Sequence, residues 1–85
     1  MQIFFTRSFK KDYKKLPSNI QKAVDKQLSW LLENPNHPSL KLKKMQDPRD
    51  IWEGRVTHGY RFTLQIKDDQ CIMRRVGTHD ILKNA

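Results

Sequence analysis

The sequence predicts an α+β fold in the order β-α-α-β-β-β. An N-terminal helical hairpin packs on one face of a small, mainly antiparallel sheet. Three observations carry this reading. Apolar residues recur at helical spacing between Phe9 and Leu32. Apolar and polar residues alternate strictly through 59–67. Turn-forming residues separate the β-prone runs that follow Ile51. A chain of 85 residues fits one domain, 1–85, with a thin core, since at this size only roughly 60–65% of the unfolded surface is buried.

Each element has its own signal. Residues 2–6, Gln-Ile-Phe-Phe-Thr, form a short β-prone run. Phe9, Tyr13 and Leu16 then make a helical stripe between Lys10, Lys11, Lys14 and Lys15, and Pro17 ends it. Ser18 and Gln21 read as a capping box for a second helix, with each side chain bonding the other's backbone N–H. Ile20, Ala23, Val24, Leu28, Leu31 and Leu32 give that helix its apolar face, and it closes near Asn34-Pro35. A linker this short predicts an antiparallel hairpin.

Residues 34–50 read as a loop, broken by Pro35, Pro38 and Pro48 and made basic by Lys41, Lys43 and Lys44. Strands follow at 51–57, 59–67 and 70–77, with His58-Gly59 and Asp68-Asp69 at the turns. In the middle strand Tyr60, Phe62, Leu64 and Ile66 define a buried face. The opposite face, with Arg61, Thr63, Gln65, Glu53 and Arg55, is expected to stay exposed. The tail from Thr78 carries no clear pattern.

Composition narrows the function. Seventeen Lys and Arg against nine Asp and Glu give a net charge of +8, which favours a polyanion or an acidic protein as partner. The single cysteine, Cys71, excludes an internal disulfide and fits a reducing compartment. The three His are scattered, so no zinc-ligand spacing arises. No apolar run approaches the ~20 residues of a membrane span. Ile3-Phe4-Phe5 is too short for a signal-peptide core, so a cytoplasmic protein is expected.

The polar sheet face is the most informative feature. Arg55 and Arg61 flank the His58-Gly59 turn on paired strands, and Arg74 or Arg75 adds a third cation. Guanidiniums converging on one surface suit a phosphate, which Arg binds bidentately; the same residues also suit a plain solvated face. His79 follows Gly77-Thr78 and falls near one end of that face. Imidazole titrates near neutral pH, so His79 suits proton transfer, or else simply caps the chain end.

The order and spacing of several stretches resemble the RelE/ParE superfamily of toxins from type II toxin–antitoxin modules. They are Leu42-Lys43-Lys44-Met45, Ile51-Trp52-Glu53-Gly54-Arg55-Val56, Gly59-Tyr60-Arg61-Phe62 and Arg75-Val76-Gly77-Thr78-His79, preceded by the helix Phe9–Pro17. The resemblance covers nearly the whole chain and implies the same fold with a twisted sheet.

RelE-like members are endoribonucleases that cut mRNA in the ribosomal decoding site without a metal or other cofactor. The mRNA's own 2′-OH attacks the adjacent phosphate. By resemblance, Arg61 stabilises that phosphate. His79 corresponds to the catalytic His of the YafQ-like branch, which lies within a Gly-Thr-His stretch. Lys41, Lys43 and Lys44 correspond to a basic loop, where Lys41 and Lys43 match residues that contact mRNA or assist proton transfer. Arg55, Arg75 and His58 support phosphate binding. The implied partners are mRNA on the ribosome and a cognate antitoxin with an acidic segment.

Two departures stand out. The C-terminal stretch Ile81–Ala85 has no aromatic residue to stack on a base, and His58 is only near a His position of the YafQ-like branch. They leave two alternatives: a ParE-like inhibitor of DNA gyrase, or a non-catalytic RNA-binding module.

Overall fold

Thr6 ends the first strand and starts the first helix. Its Oγ1 accepts from the backbone N–H of Phe9 at 3.1 Å, the capping role that Thr serves well, and donates to the Arg74 carbonyl at 2.8 Å. One side chain thus ties the helix start to the sheet. The computed structural model describes residues 1–85. In it, β1 (Gln2–Phe5) leads into α1 (Arg7–Lys14) and α2 (Ser18–Glu33). A 3-10 turn (Pro38–Leu40) and β2 (Lys43–Lys44) follow. Then come β3 (Ile51–Arg55), β4 (Arg61–Lys67), β5 (Gln70–Gly77) and a C-terminal 3-10 turn (His79–Asn84).

The expected α+β order is observed, with one addition. Residues 34–50 are not a plain loop, because Lys43 and Lys44 pair antiparallel with Glu53 and Trp52. The sheet therefore has five strands in the order β1-β5-β4-β3-β2. The β3-β4-β5 meander is antiparallel, and β1 pairs parallel with β5. The β3–β4 turn spans more residues than a two-residue hairpin, so the strands stop at Arg55 and restart at Arg61. The β4–β5 turn is a two-residue connection with Asp68 at φ 52°, a left-handed conformation that Asp tolerates.

The capping box at Ser18 does not form. Ser18 lies inside α2, and Pro17 caps it through its carbonyl, which accepts from Ile20 and Gln21. The tight linker instead brings Gln21 beneath the open end of α1, where its Nε2 donates to the Tyr13 carbonyl at 2.8 Å. That bond adds to the one that the Leu16 N–H makes to the same carbonyl, and it ties the start of α2 to the end of α1.

Phe9, Val24 and Leu31 from the helices pack with Phe62, Leu64, Met73 and Val76 from the sheet. Across strands, Gly54, Phe62 and Val76 stand in one row, and Trp52, Leu64 and Met73 in the next. Gly54 is required there, because a Cβ would overlap the Phe62 ring.

The second sheet face is not left open. The tail folds over it against β4 and β5, burying Ile81 and Ala85. Thr63, expected to be exposed, is fully buried. Gly77 makes this possible: a Cβ there would press on Ile81. No helix is long and apolar enough to cross a membrane.

Candidate functional site

Beyond the reach of the tail, the same sheet face opens into a pocket of about 220 Å³ with no hydrophobic lining. Its walls are Lys41, Lys43, Glu53, Gly54, Arg55 and Arg61. Four cations thus surround a single carboxylate.

The sheet register explains the convergence. Arg55 and Arg61 are direct cross-strand partners, so both side chains point to one face. Lys43 is paired with Glu53 and joins that face from β2. Lys41 arrives by a kink: it caps the 3-10 turn at φ 46°, ψ 46°, a left-handed conformation that is costly for a residue with a Cβ.

Arg61 is fixed by the turn it follows. Its Nη1 donates to the carbonyls of Thr57, His58 and Tyr60. Three acceptors on one nitrogen lock the guanidinium and leave its other nitrogens for a ligand. Arg55 is left partly unpartnered. Its Nε is buried and has no hydrogen-bond partner, and its Nη2 reaches only His58 Nδ1 at 3.5 Å. A bound anion would satisfy it.

His79 opens the C-terminal turn and is exposed. Gly77, two residues before it, is the register partner of Arg61 on the side away from Arg55. His79 thus follows two residues after the partner of Arg61, and it does not line the pocket.

Three other residues singled out from the sequence lie elsewhere or on the margin. Lys44 faces the helix side of the sheet in register with Trp52 and pairs with Asp50 at 3.2 Å. Arg75 sits beside a bulge in β5 and turns to α1. Its Nε and Nη2 donate to Asp12 at 2.6 and 3.2 Å, which pushes its pKa above the ordinary guanidinium value. Neither Arg75 nor Arg74 lines the pocket. His58 stands exposed in the turn beside Arg55.

The profile described as the ParE toxin of type II toxin–antitoxin system, parDE, matches residues 3–82. The chain belongs to that family. It is a toxin of the RelE/ParE superfamily, and solved structures of similar toxins share its fold. YafQ from Escherichia coli is 19% identical over 94% of each chain, with a TM-score of 0.78. A YoeB/ParE toxin from Agrobacterium tumefaciens is 15% identical over 93% of this chain and 99% of its own, TM-score 0.78. The RelB–RelE antitoxin–toxin complex from Methanococcus jannaschii is 26% identical over 95% of each chain, TM-score 0.73. No curated protein matches the sequence.

Two residues of the candidate site are not marked as such by the sequence. Alternation puts Glu53 on the polar face, and its spacing from Arg55 is the one signal that links it to the pocket. Gln27 carries no signal. It is buried in α2, and its Nε2 donates to the carbonyls of Ser39 at 3.1 Å and Arg55 at 2.8 Å. It thereby pins the loop carrying Lys41 to the strand carrying Arg55.

Proposed function

We propose that this toxin is a metal-independent endoribonuclease that cleaves mRNA on the ribosome. The observation that carries the reading is the cationic pocket: Arg55 and Arg61 opposed, Lys41 and Lys43 beside them, and one buried guanidinium nitrogen unpartnered. Like charges directly opposite one another cost stability, and a buried unpaired donor costs about 1–3 kcal/mol more. A phosphate in the pocket would offset the repulsion between the two guanidiniums.

In the proposed reaction the 2′-hydroxyl loses its proton and its oxygen attacks the neighbouring phosphorus. The P–O5′ bond breaks, giving a 2′,3′-cyclic phosphate, and the 5′-oxygen takes up a proton. Arg61, held rigid by its three carbonyls, stabilises charge on the phosphate oxygens without reorganising. His79 exchanges a proton as general acid or base. Lys41 and Lys43 hold flanking phosphates, with Arg55 and His58 supporting.

The cognate antitoxin is the second partner. A groove lined by Phe5, Phe9, Tyr13 and Leu28, with Lys10, Lys14 and the Tyr13-bonded Asp25 beside them, offers an apolar floor and a net positive rim to an acidic amphipathic segment.

The test is mRNA cleavage in a translating extract, with new 5′ ends mapped. Cuts that need ribosomes and disappear in Arg61→Ala and His79→Ala support the reading; cuts on naked RNA remove the ribosome from it. The match to the ParE family and the absence of an aromatic residue in the tail favour one second reading, inhibition of DNA gyrase. That reading predicts no RNA cleavage and arrested gyrase turnover.

A further inference from the structure

We propose that Glu53 is the general base of this reaction, taking the 2′-hydroxyl proton on the opposite side of Arg61 from His79. The inference rests on the endoribonuclease reading and adds the group that reading lacks.

The first argument is the inventory of the pocket. Its side chains are Lys41, Lys43, Arg55, Arg61 and Glu53, with Gly54 contributing none. Ammonium and guanidinium groups only donate, so Glu53 is the single side chain in the pocket that can accept a proton. The second is that Glu53 is uncommitted. The ion pairs of the chain join Met1 to Asp69, Lys44 to Asp50, Arg49 to Asp47 and Arg75 to Asp12. A half-buried carboxylate among four cations takes part in none of them.

The third argument is placement. Glu53 stands opposite Thr63, so it is diagonal to Arg61 on the same face, with backbones roughly 7–8 Å apart. That gap admits a phosphate against Arg61 with its 2′-oxygen toward β3. His79 comes from β5, the strand on the other side of β4. In-line displacement puts the attacking and leaving oxygens on opposite sides of phosphorus, and so needs base and acid on opposite sides as well. Sheet order β5-β4-β3 supplies that arrangement, with Arg61 in the middle. The Glu53 carboxylate gains the 2′-OH proton, the O2′–P bond forms and the P–O5′ bond breaks. The proton that O5′ needs comes from the imidazolium of His79.

The experiment compares single-turnover cleavage of ribosome-bound mRNA by wild type, Glu53→Gln, Glu53→Asp, His58→Ala and His79→Ala. Each is run on ordinary RNA and on RNA with a 5′-bridging sulfur at the cleavage site, whose leaving thiolate needs no acid. Glu53→Gln is expected to lose at least about 100-fold on both substrates. His79→Ala loses activity on ordinary RNA only. Glu53→Asp keeps partial activity with an intact acid limb in its pH–rate profile, a limb that Glu53→Gln lacks. Binding of non-cleavable 2′-O-methyl mRNA stays the same or tightens in Glu53→Gln, and its melting temperature certifies the fold.

Wild-type cleavage with an equally active Glu53→Gln overturns the assignment alone. So does rescue of Glu53→Gln by the bridging sulfur, or transfer of the acid-limb loss to His58→Ala. No cleavage by folded wild type overturns the nuclease reading and this assignment together.

Discussion

Arg55 and Arg61 face each other across the β3–β4 ladder with no acid between them, and the Nε of Arg55 is buried without a partner. In the proposed function, a site built this way trades stability for phosphate binding. Arg55→Met is therefore expected to stabilise the fold by about 1 kcal/mol, since it removes both the repulsion and the unpaired donor. The same change weakens RNA binding. Urea melts and RNA titrations on the same variant check the pair of effects; a destabilised variant would mean that Arg55 has a structural anion or water partner.

Lys43 and Lys44 are neighbours in sequence but face opposite sides of the sheet. Lys43→Ala is expected to weaken RNA binding and to lower the log–log salt slope by about 0.7, the value for one contact to a single strand. Lys44→Ala leaves both unchanged, because Lys44 is paired with Asp50 away from the pocket. Equal effects from the two lysines would count against the pocket as the RNA site.

Asp12 accepts three hydrogen bonds, from Nε and Nη2 of Arg75 and from the backbone N–H of Val76 at 3.2 Å. It joins α1 to β5. Asp12→Ala is expected to cost about 2–3 kcal/mol, since it strands a partly buried guanidinium and a backbone donor. Adding Arg75→Ala recovers part of that loss, because no unpaired charge remains. A double-mutant cycle in denaturant measures the coupling; a coupling near zero would contradict the geometry.

Asp47 closes the turn before β3. Arg49 gives it a backbone and two side-chain hydrogen bonds, which pull its carboxyl down to about 2. The unfolded chain has the ordinary value of ~3.9, so the folded state binds fewer protons between the two. The contribution is present above roughly pH 4 and is lost as pH falls through the folded value. A carboxyl-carbon NMR titration of Asp47 should show its midpoint near 2, while Arg49→Ala should return it to the ordinary range.

Much of the fold is legible in the chain itself. Pattern and propensity located both helices, the three-strand meander and the turn at Asp68-Asp69, because each depends on residues close together in the chain. Alternation groups Arg61 with Thr63 and Gln65, and Arg55 with Glu53, since side chains two apart in a strand share a side; the β3–β4 register then joins the two sets. Ser18 and Gln21 show where local reasoning stops. Their spacing fits a cap, yet Gln21 is drawn to the end of another helix.

The order of elements follows from local backbone periodicity and the basic character from composition, both legible in the chain alone; the longer β3–β4 turn sets the register that puts Arg55 opposite Arg61. Tertiary structure decided which charges meet. Lys41 and Lys43 join the arginines because a left-handed residue and an added strand bring the loop to β3. Lys44 misses the pocket because the pleat turns neighbouring side chains apart. Arg75 is withdrawn by Asp12, 63 residues away in sequence. The tail covers Thr63 because Gly77 leaves room for Ile81. Each of these is a contact between segments distant in the chain, set by packing and charge pairing that no local window contains.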